Sequence, residues 1–319
     1  MTFVLTATGD VTLVDLGEAS ALESKARRAL ENIRVSMDSR GLQILKQTPG
    51  RNPFQQSLKS LSELYTLMWA PLEKSLGAAE KIVVSPDGLV NLVPFAALIN
   101  GQGRPLVERY QLAYVTSGRE LVGAEGAGPK PGSDLLLVAN PTFDKKVSES
   151  GSQVVSLRSR EFRGVFSPLP GTERKSQEIP PLVTGKQEQK QVLTGERAQE
   201  SAVKTARSPR ILHLATHGFF LSDEELALGD ETRGMGFLER DLAGAKNLLM
   251  SLWPVSDEIT AKQMKAFYTN LQKLPPAEAL CQAQLETIQQ LKAIAIYGGT
   301  APPGLWAPFI LQGAQALGQ

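Results

Sequence analysis

The sequence predicts an α/β fold with a mostly parallel, doubly wound sheet flanked by helices, and three observations lead there. Continuous apolar runs of strand length occupy residues 134–139, 210–217 and 247–253, the pattern of strands covered on both faces. Helical spacing separates these runs, and strands that alternate with helices require parallel crossover connections. The chain has 319 residues, 42% hydrophobic and 21% charged, enough ordinary globular sequence for one large α/β unit or two lobes.

The elements follow in order. Residues 3–5 and 11–14 flank the turn Ala7-Thr8-Gly9-Asp10, a strand-turn-strand signal. This start has no basic stretch ahead of an apolar run, so it is not expected to be a signal peptide. A charged helical region covers 19–47, and a Pro/Gly/Asn loop follows at 48–53. In the next helix Leu58, Leu61, Leu64, Tyr65, Met68 and Leu72 keep helical spacing and turn one face inward. Residues 81–98 read as a buried strand, a Pro-Asp-Gly turn and a second apolar stretch, with another strand at 111–115.

Residues 123–132 hold four glycines and two prolines. No phosphate-loop spacing occurs among them, so the segment reads as a linker between lobes 1–128 and 129–319. In the second lobe, the strand closed by Asn140-Pro141 is followed by a polar loop at 145–163. Helices are expected at 173–183, limited by Pro180-Pro181, and at 198–206, with a short strand at 191–193 between them. The final third is helical, at 260–271 and 276–291, where Pro276 and Glu278 suit a first turn.

Charge and cysteine usage narrow the function classes. Lys and Arg number 34 against 33 acidic residues, a balance that supplies no field for nucleic acid or an anionic membrane. No run approaches the roughly 20 apolar residues that cross a bilayer. One cysteine and two histidines exclude a disulfide framework and a cysteine-based zinc cluster, so no metal or other cofactor is expected. The same count fits a reducing cytoplasm.

The segment Ile211-Leu-His-Leu-Ala-Thr-His-Gly218 carries the most chemistry. In an extended strand His217 falls at the carboxyl end, with Gly218 after it, where open α/β sheets put ligands. An imidazole there can take a proton from a nucleophile and return it to a leaving group; equally, it can cap the strand through a backbone hydrogen bond. His213, among apolar neighbours, reads as a satisfied core residue. Trp69, Trp253 and Trp306 sit in apolar segments and read as packing, and the basic cluster from Lys186 to Lys190 as a solvated face.

Several motifs in one order resemble a known family. They are Ser85-Pro-Asp-Gly-Leu-Val-Asn-Leu-Val-Pro-Phe-Ala-Ala-Leu98, Val138-Ala-Asn-Pro141, Leu169-Pro-Gly-Thr-Glu173, the segment ending at Gly218, and Gly244-Ala245 with Ser251-Leu-Trp253 and Asp257. Phe267-Tyr268 and Trp306-Ala-Pro-Phe309 complete the series. The chain resembles the CHAT domain, a caspase-like cysteine peptidase family related to caspases and separases and often found beside TPR repeats. The resemblance implies a caspase-like sheet with a smaller related lobe before it, and it gives His217 the role of catalytic base. It also implies a protein or peptide partner, with a TPR region among the candidates.

The family's nucleophile lies in a segment like L-S-A-C-E-T-G, between the strand ending in His-Gly and the strand carrying Ser-Leu-Trp. Nothing like it stands between Phe220 and Gly244. Lys175 is a smaller departure, at a position where an acidic residue is common. Cys281 has Leu285 and Ile288 on its helical face, a packing environment that keeps a thiol inert. Ser222 has no G-x-S-x-G elbow around it. Three readings follow: an inactive homologue acting as an interaction or regulatory module, an active peptidase using Cys281 with His217, or a deletion remnant. A chain that folds without that strand must pair the backbone groups left behind, and direct parallel pairing of 211–216 with 248–252 is the simplest expectation.

Overall fold

The computed structural model describes residues 1–37, 52–122, 133–142, 173, 176–183, 189–206, 209–215, 247–253, 255, 257–313 and 316–317. The chain forms two compact units. One joins Met1–Gly126 to Leu249–Gln319, and the other is Ala127–Leu248.

The first unit begins with strands β1 (Thr2–Leu5) and β2 (Val11–Val14), an antiparallel hairpin. Helix α1 (Ala19–Met37) buries Ala26, Ala29, Ile33 and Ser36, one stripe at alternating spacings of three and four. Helix α2 (Pro53–Leu64) packs against it. Asn52 starts α2, its side chain accepting from the Phe54 backbone N–H at 2.9 Å, and Pro53 occupies the first helical position. A π turn, Tyr65–Trp69, extends α2. Its extra residue shifts the helical phase, so Tyr65, Met68 and Trp69 all face inward.

The sheet of this unit has the order β3-β4-β9-β8. Its strands are β3 (Lys81–Val84), β4 (Gln111–Tyr114), β8 (Leu248–Ser251) and β9 (Phe309–Gln312), with β3 parallel to β4 and β4 parallel to β9. Between β3 and β4 the sequence 85–98 turns tightly. Asp87 accepts from the Gly88 N–H at 2.8 Å, and Gly88 stands at φ 56, a left-handed conformation that suits glycine. Residues Val93 and Phe95–Leu98 then dive into the core. Tyr110, Trp69, Phe95 and Tyr114 form a chain of ring contacts with successive centroids 5.4, 5.9 and 5.9 Å apart.

Helices α3 (Asp257–Asn270) and α4 (Pro276–Lys292) pack together. Helix α3 buries Thr260, Gln263, Met264, Phe267 and Tyr268, a single face at helical spacing. Two buried glutamines hold the segment that leads into β9: Gln263 donates to the Trp306 carbonyl at 2.7 Å and Gln284 to the Phe309 carbonyl at 3.2 Å.

In the second unit β5 (Ser133–Pro141) lies between β6 (Lys190–Gly195) and β7 (Pro209–Ala215), in the order β6-β5-β7 and parallel throughout. Leu135 and Leu137 on one face of β5 and Leu136 and Val138 on the other are all buried, as its unbroken apolar run requires. Leu193 and Ala198 cover the second of these faces, with Leu212 and Leu214 packed against it.

Two expectations meet a different arrangement. The described ladders distribute the strands over separate small sheets, so the coarse α/β class stands while a single sheet is not drawn. The pairing of 211–216 with 248–252 is absent from those ladders, because β8 lies beside β9 and Leu252 N–H donates to the Pro308 carbonyl at 2.8 Å. For the same reason residues 249–319 pack with 1–126.

Two stability outcomes follow. Tyr114→Phe keeps the ring but removes the oxygen that accepts from the Phe95 N–H at 3.0 Å. It should cost about 1–3 kcal/mol in denaturant unfolding, the penalty of an unpaired buried N–H. Gly304 lies where an added Cβ would run into the Met37 side chain and stand 3.4 Å from Ile33. Gly304→Val should lower the thermal midpoint through about 1–3 kcal/mol of overpacking, and an unchanged midpoint would show that Met37 yields freely.

Candidate functional site

The strand ladder brings the carboxyl ends of β5 and β7 side by side, with Leu137 opposite His213 and Ala139 opposite Ala215. Strand order reverses at this place, since β6 lies on one side of β5 and β7 on the other. Open parallel sheets form their ligand crevices at such reversals, outside the carboxyl ends. At the end of β5, Asn140 adopts φ 44, and it is the one non-glycine residue with positive φ among those described. The ladder shifts register there, between Ala139 and Pro141. Asparagine tolerates this conformation better than other side chains, and Pro141 cannot donate to a ladder.

Strand β7 ends at Ala215, two residues before His217 in the sequence. His217 and Gly218 lie outside the described residues, as do Ser222 and Lys175. His213 is half-buried within β7, on the face it shares with Ile211 and Ala215, and it has an interaction partner.

Cys281 is described fully. It is buried in α4, its Sγ–H donating to the Val107 carbonyl at 3.4 Å. The lining around it is apolar and aromatic and includes Val107, Tyr110, Leu280 and Ile310. Burial, assisted by the negative charge of Glu278, pushes the thiol from an ordinary 9.0 up to about 11. A thiol so placed stays protonated at neutral pH and is a poor nucleophile. It belongs to the first unit, whereas β7 belongs to the second.

The other residues singled out from the sequence divide. Trp69 and Trp306 are core residues, while Trp253 is half-buried with its indole N–H donating to the Gly304 carbonyl at 3.0 Å. Lys190 does not lie on a solvated face: it is half-buried, and its ammonium donates to the Pro180 carbonyl at 3.0 Å. Gln189 beside it is exposed, and residues 186–188 of that cluster lie outside the described residues. Among the described residues no group of three or more His, Cys, Asp or Glu side chains is placed to hold a metal ion. None of the described helices is long and apolar enough to cross a membrane.

Sequence reasoning missed the polar side chains that hold the motifs in place. Tyr114 sits one strand away from the Pro-Phe-Ala-Ala segment whose backbone it receives. Gln263 and Gln284 sit on helices far in sequence from the Trp-Ala-Pro-Phe segment they hold. Each occupies a helical or strand position facing the core, and a glutamine at a core position is the signal that could have found two of them.

Comparison with known proteins gives two results. No curated protein matches the chain. The CHAT domain family matches residues 58–242 and 240–314, two stretches that meet at 240–242 and together take in most of the chain. That match includes the motif-bearing turn at 85–98, the strand that leads to His217, and the Trp306–Phe309 segment. The chain therefore belongs to the CHAT domain family of caspase-like cysteine-peptidase homologues.

Proposed function

We propose that this chain is a CHAT protein that has lost its nucleophile strand and acts as an interaction or regulatory module rather than as a peptidase. The observation that carries the reading is the state of its only cysteine. Cys281 is buried, engaged with a backbone carbonyl and held protonated. Cysteine peptidases need the opposite, an accessible thiolate beside a base.

Three further facts support the reading. The two stretches of the family match meet at residues 240–242, inside the interval where the family carries its nucleophile. The order β6-β5-β7, with its reversal at β5, suits a caspase-like doubly wound sheet whose mouth would receive His217 and Gly218. The break near residue 126 suits the end of a smaller lobe at 1–128, while residues 249–319 of the proposed caspase-like lobe, 129–319, fall in the same unit as that smaller lobe. The partner in this proposal is a protein or peptide, a TPR region being one candidate, and the compartment is the reducing cytoplasm.

A peptidyl acyloxymethyl ketone, which alkylates activated cysteines, tests the loss of activity. The native protein at neutral pH should stay unlabelled. Labelling of Cys281 that vanishes in His217→Ala would overturn the proposal and establish the active peptidase instead.

The alkaline behaviour of Cys281 gives a second measurement. Because the folded state raises the thiol above its ordinary 9.0, alkylation of the native protein by iodoacetamide should be slow at pH 8 and still rising between pH 9 and 11. An unfolded thiol levels off above its ordinary value. The sign for stability is the same: the neutral buried thiol contributes fully below about pH 9, and that contribution falls as pH rises through about 11. Cys281→Ala should remove this part of the alkaline loss.

A further inference from the structure

Five of the seven large hydrophobic residues that are well exposed among those described belong to the N-terminal hairpin: Met1, Phe3, Leu5, Val11 and Leu13. Their placement is not scattered. The register pairs Phe3 with Leu13 and Leu5 with Val11, and alternate residues of a strand share a face. One face of the hairpin therefore carries a continuous apolar surface. The opposite face carries Thr2, Val4, Thr12 and Val14, and there Val4 is buried. A hairpin that buries only Val4 and leaves its largest apolar side chains in water reverses the usual pattern.

We infer that this outer face is the contact of a two-fold homodimer, in which the hairpins of two copies pack face to face. Area and charge favour a second copy. The exposed parts of the five side chains amount to on the order of 600 Å2, the upper end of the largest apolar patches that monomers leave in water, which are often functional. Two such faces would bury about 1,200 Å2 together, the lower edge of specific stable interfaces.

A two-fold contact sets one patch against itself, so any charge within it meets its own copy. Residues 1–14 contain a single ionisable side chain, Asp10; it sits in the turn, and the Met1 α-ammonium precedes the first pair, so both charges lie beyond the paired residues. The face is thus self-complementary. The same absence of lysine and arginine removes the attraction to an anionic membrane that surface-binding segments use. Edge-to-edge pairing of the two hairpins would leave all ten apolar side chains in water, whereas face-to-face packing removes them. The inference is independent of the fate of the catalytic centre.

Sedimentation velocity of the full chain from about 1 to 200 µM tests it, a range suited to an interface of minimal area. The weight-average mass should rise from 34.5 kDa toward twice that value. In the double variant Phe3→Glu, Leu13→Glu it should stay near the monomer value throughout, the dissociation constant having risen by at least ~100-fold. Both side chains are exposed, so circular dichroism should report an unchanged fold. A wild-type chain that stays monomeric over the range, or a dimer that survives the double substitution, overturns the inference. So does a monomer that co-floats with phosphatidylcholine vesicles through the same two residues, since that outcome assigns the face to a lipid surface.

Discussion

The packing of the first unit depends on Tyr114. Its phenolic oxygen accepts from the Phe95 N–H and its own carbonyl accepts from the Gly313 N–H at 2.8 Å. One buried residue thereby ties the tight segment after β3 to the strand that returns near the end of the chain. Full burial raises the phenol above its ordinary range, so it stays neutral and available as an acceptor. Around this point the ring contacts from Tyr110 to Trp69 to Phe95 fill the space between helix and sheet. Loss of either hydrogen bond would leave a polar group stranded in that apolar layer.

The same economy of polar groups explains how the carboxyl-terminal third joins the amino-terminal part. A segment rich in proline cannot satisfy all its carbonyls by regular pairing. Residues 302–309 meet this need through side chains. Gln263 and Gln284 donate from two helices, and the Trp253 indole donates to Gly304. Close approach of the short helix Pro303–Trp306 to α1 then requires a residue without a side chain at 304, beside Ile33 and Met37. These contacts hold β8 and β9 in the first sheet, which is why the chain divides by packing at residues 126 and 248 and not at one place.

For the chemistry, the cysteine and the strand before His217 belong to different units. The strand that runs toward His217 belongs to the second unit, and the sole cysteine belongs to the core of the first, where apolar surroundings suppress its ionisation. Family membership brings an expectation of a paired base and nucleophile; in the reading proposed above His217 is the base position and the nucleophile is missing. The ladder of β5 and β7 sets two strand ends side by side at a reversal of order, with Asn140 held in a left-handed conformation at the end of β5.

Much was legible from residues alone. Apolar and β-branched residues around a turn at 2–14 marked the hairpin, the run 134–139 a doubly covered strand, and 260–271 a helix, because period and polarity respond to local burial. The absence of a cysteine segment between Phe220 and Gly244, and the packing role of Cys281, were also plain in the sequence. The partner of each strand was not. Parallel ladders join residues far apart along the chain, and local pattern carries no record of which edge they meet. Only the tertiary structure set β8 beside β9 rather than β7, matched Tyr114 to Phe95 and the glutamines to the Trp306–Phe309 backbone, and left the apolar face of the hairpin outward. Those outcomes depend on which buried polar groups find partners across distance, and that is a property of the assembled core.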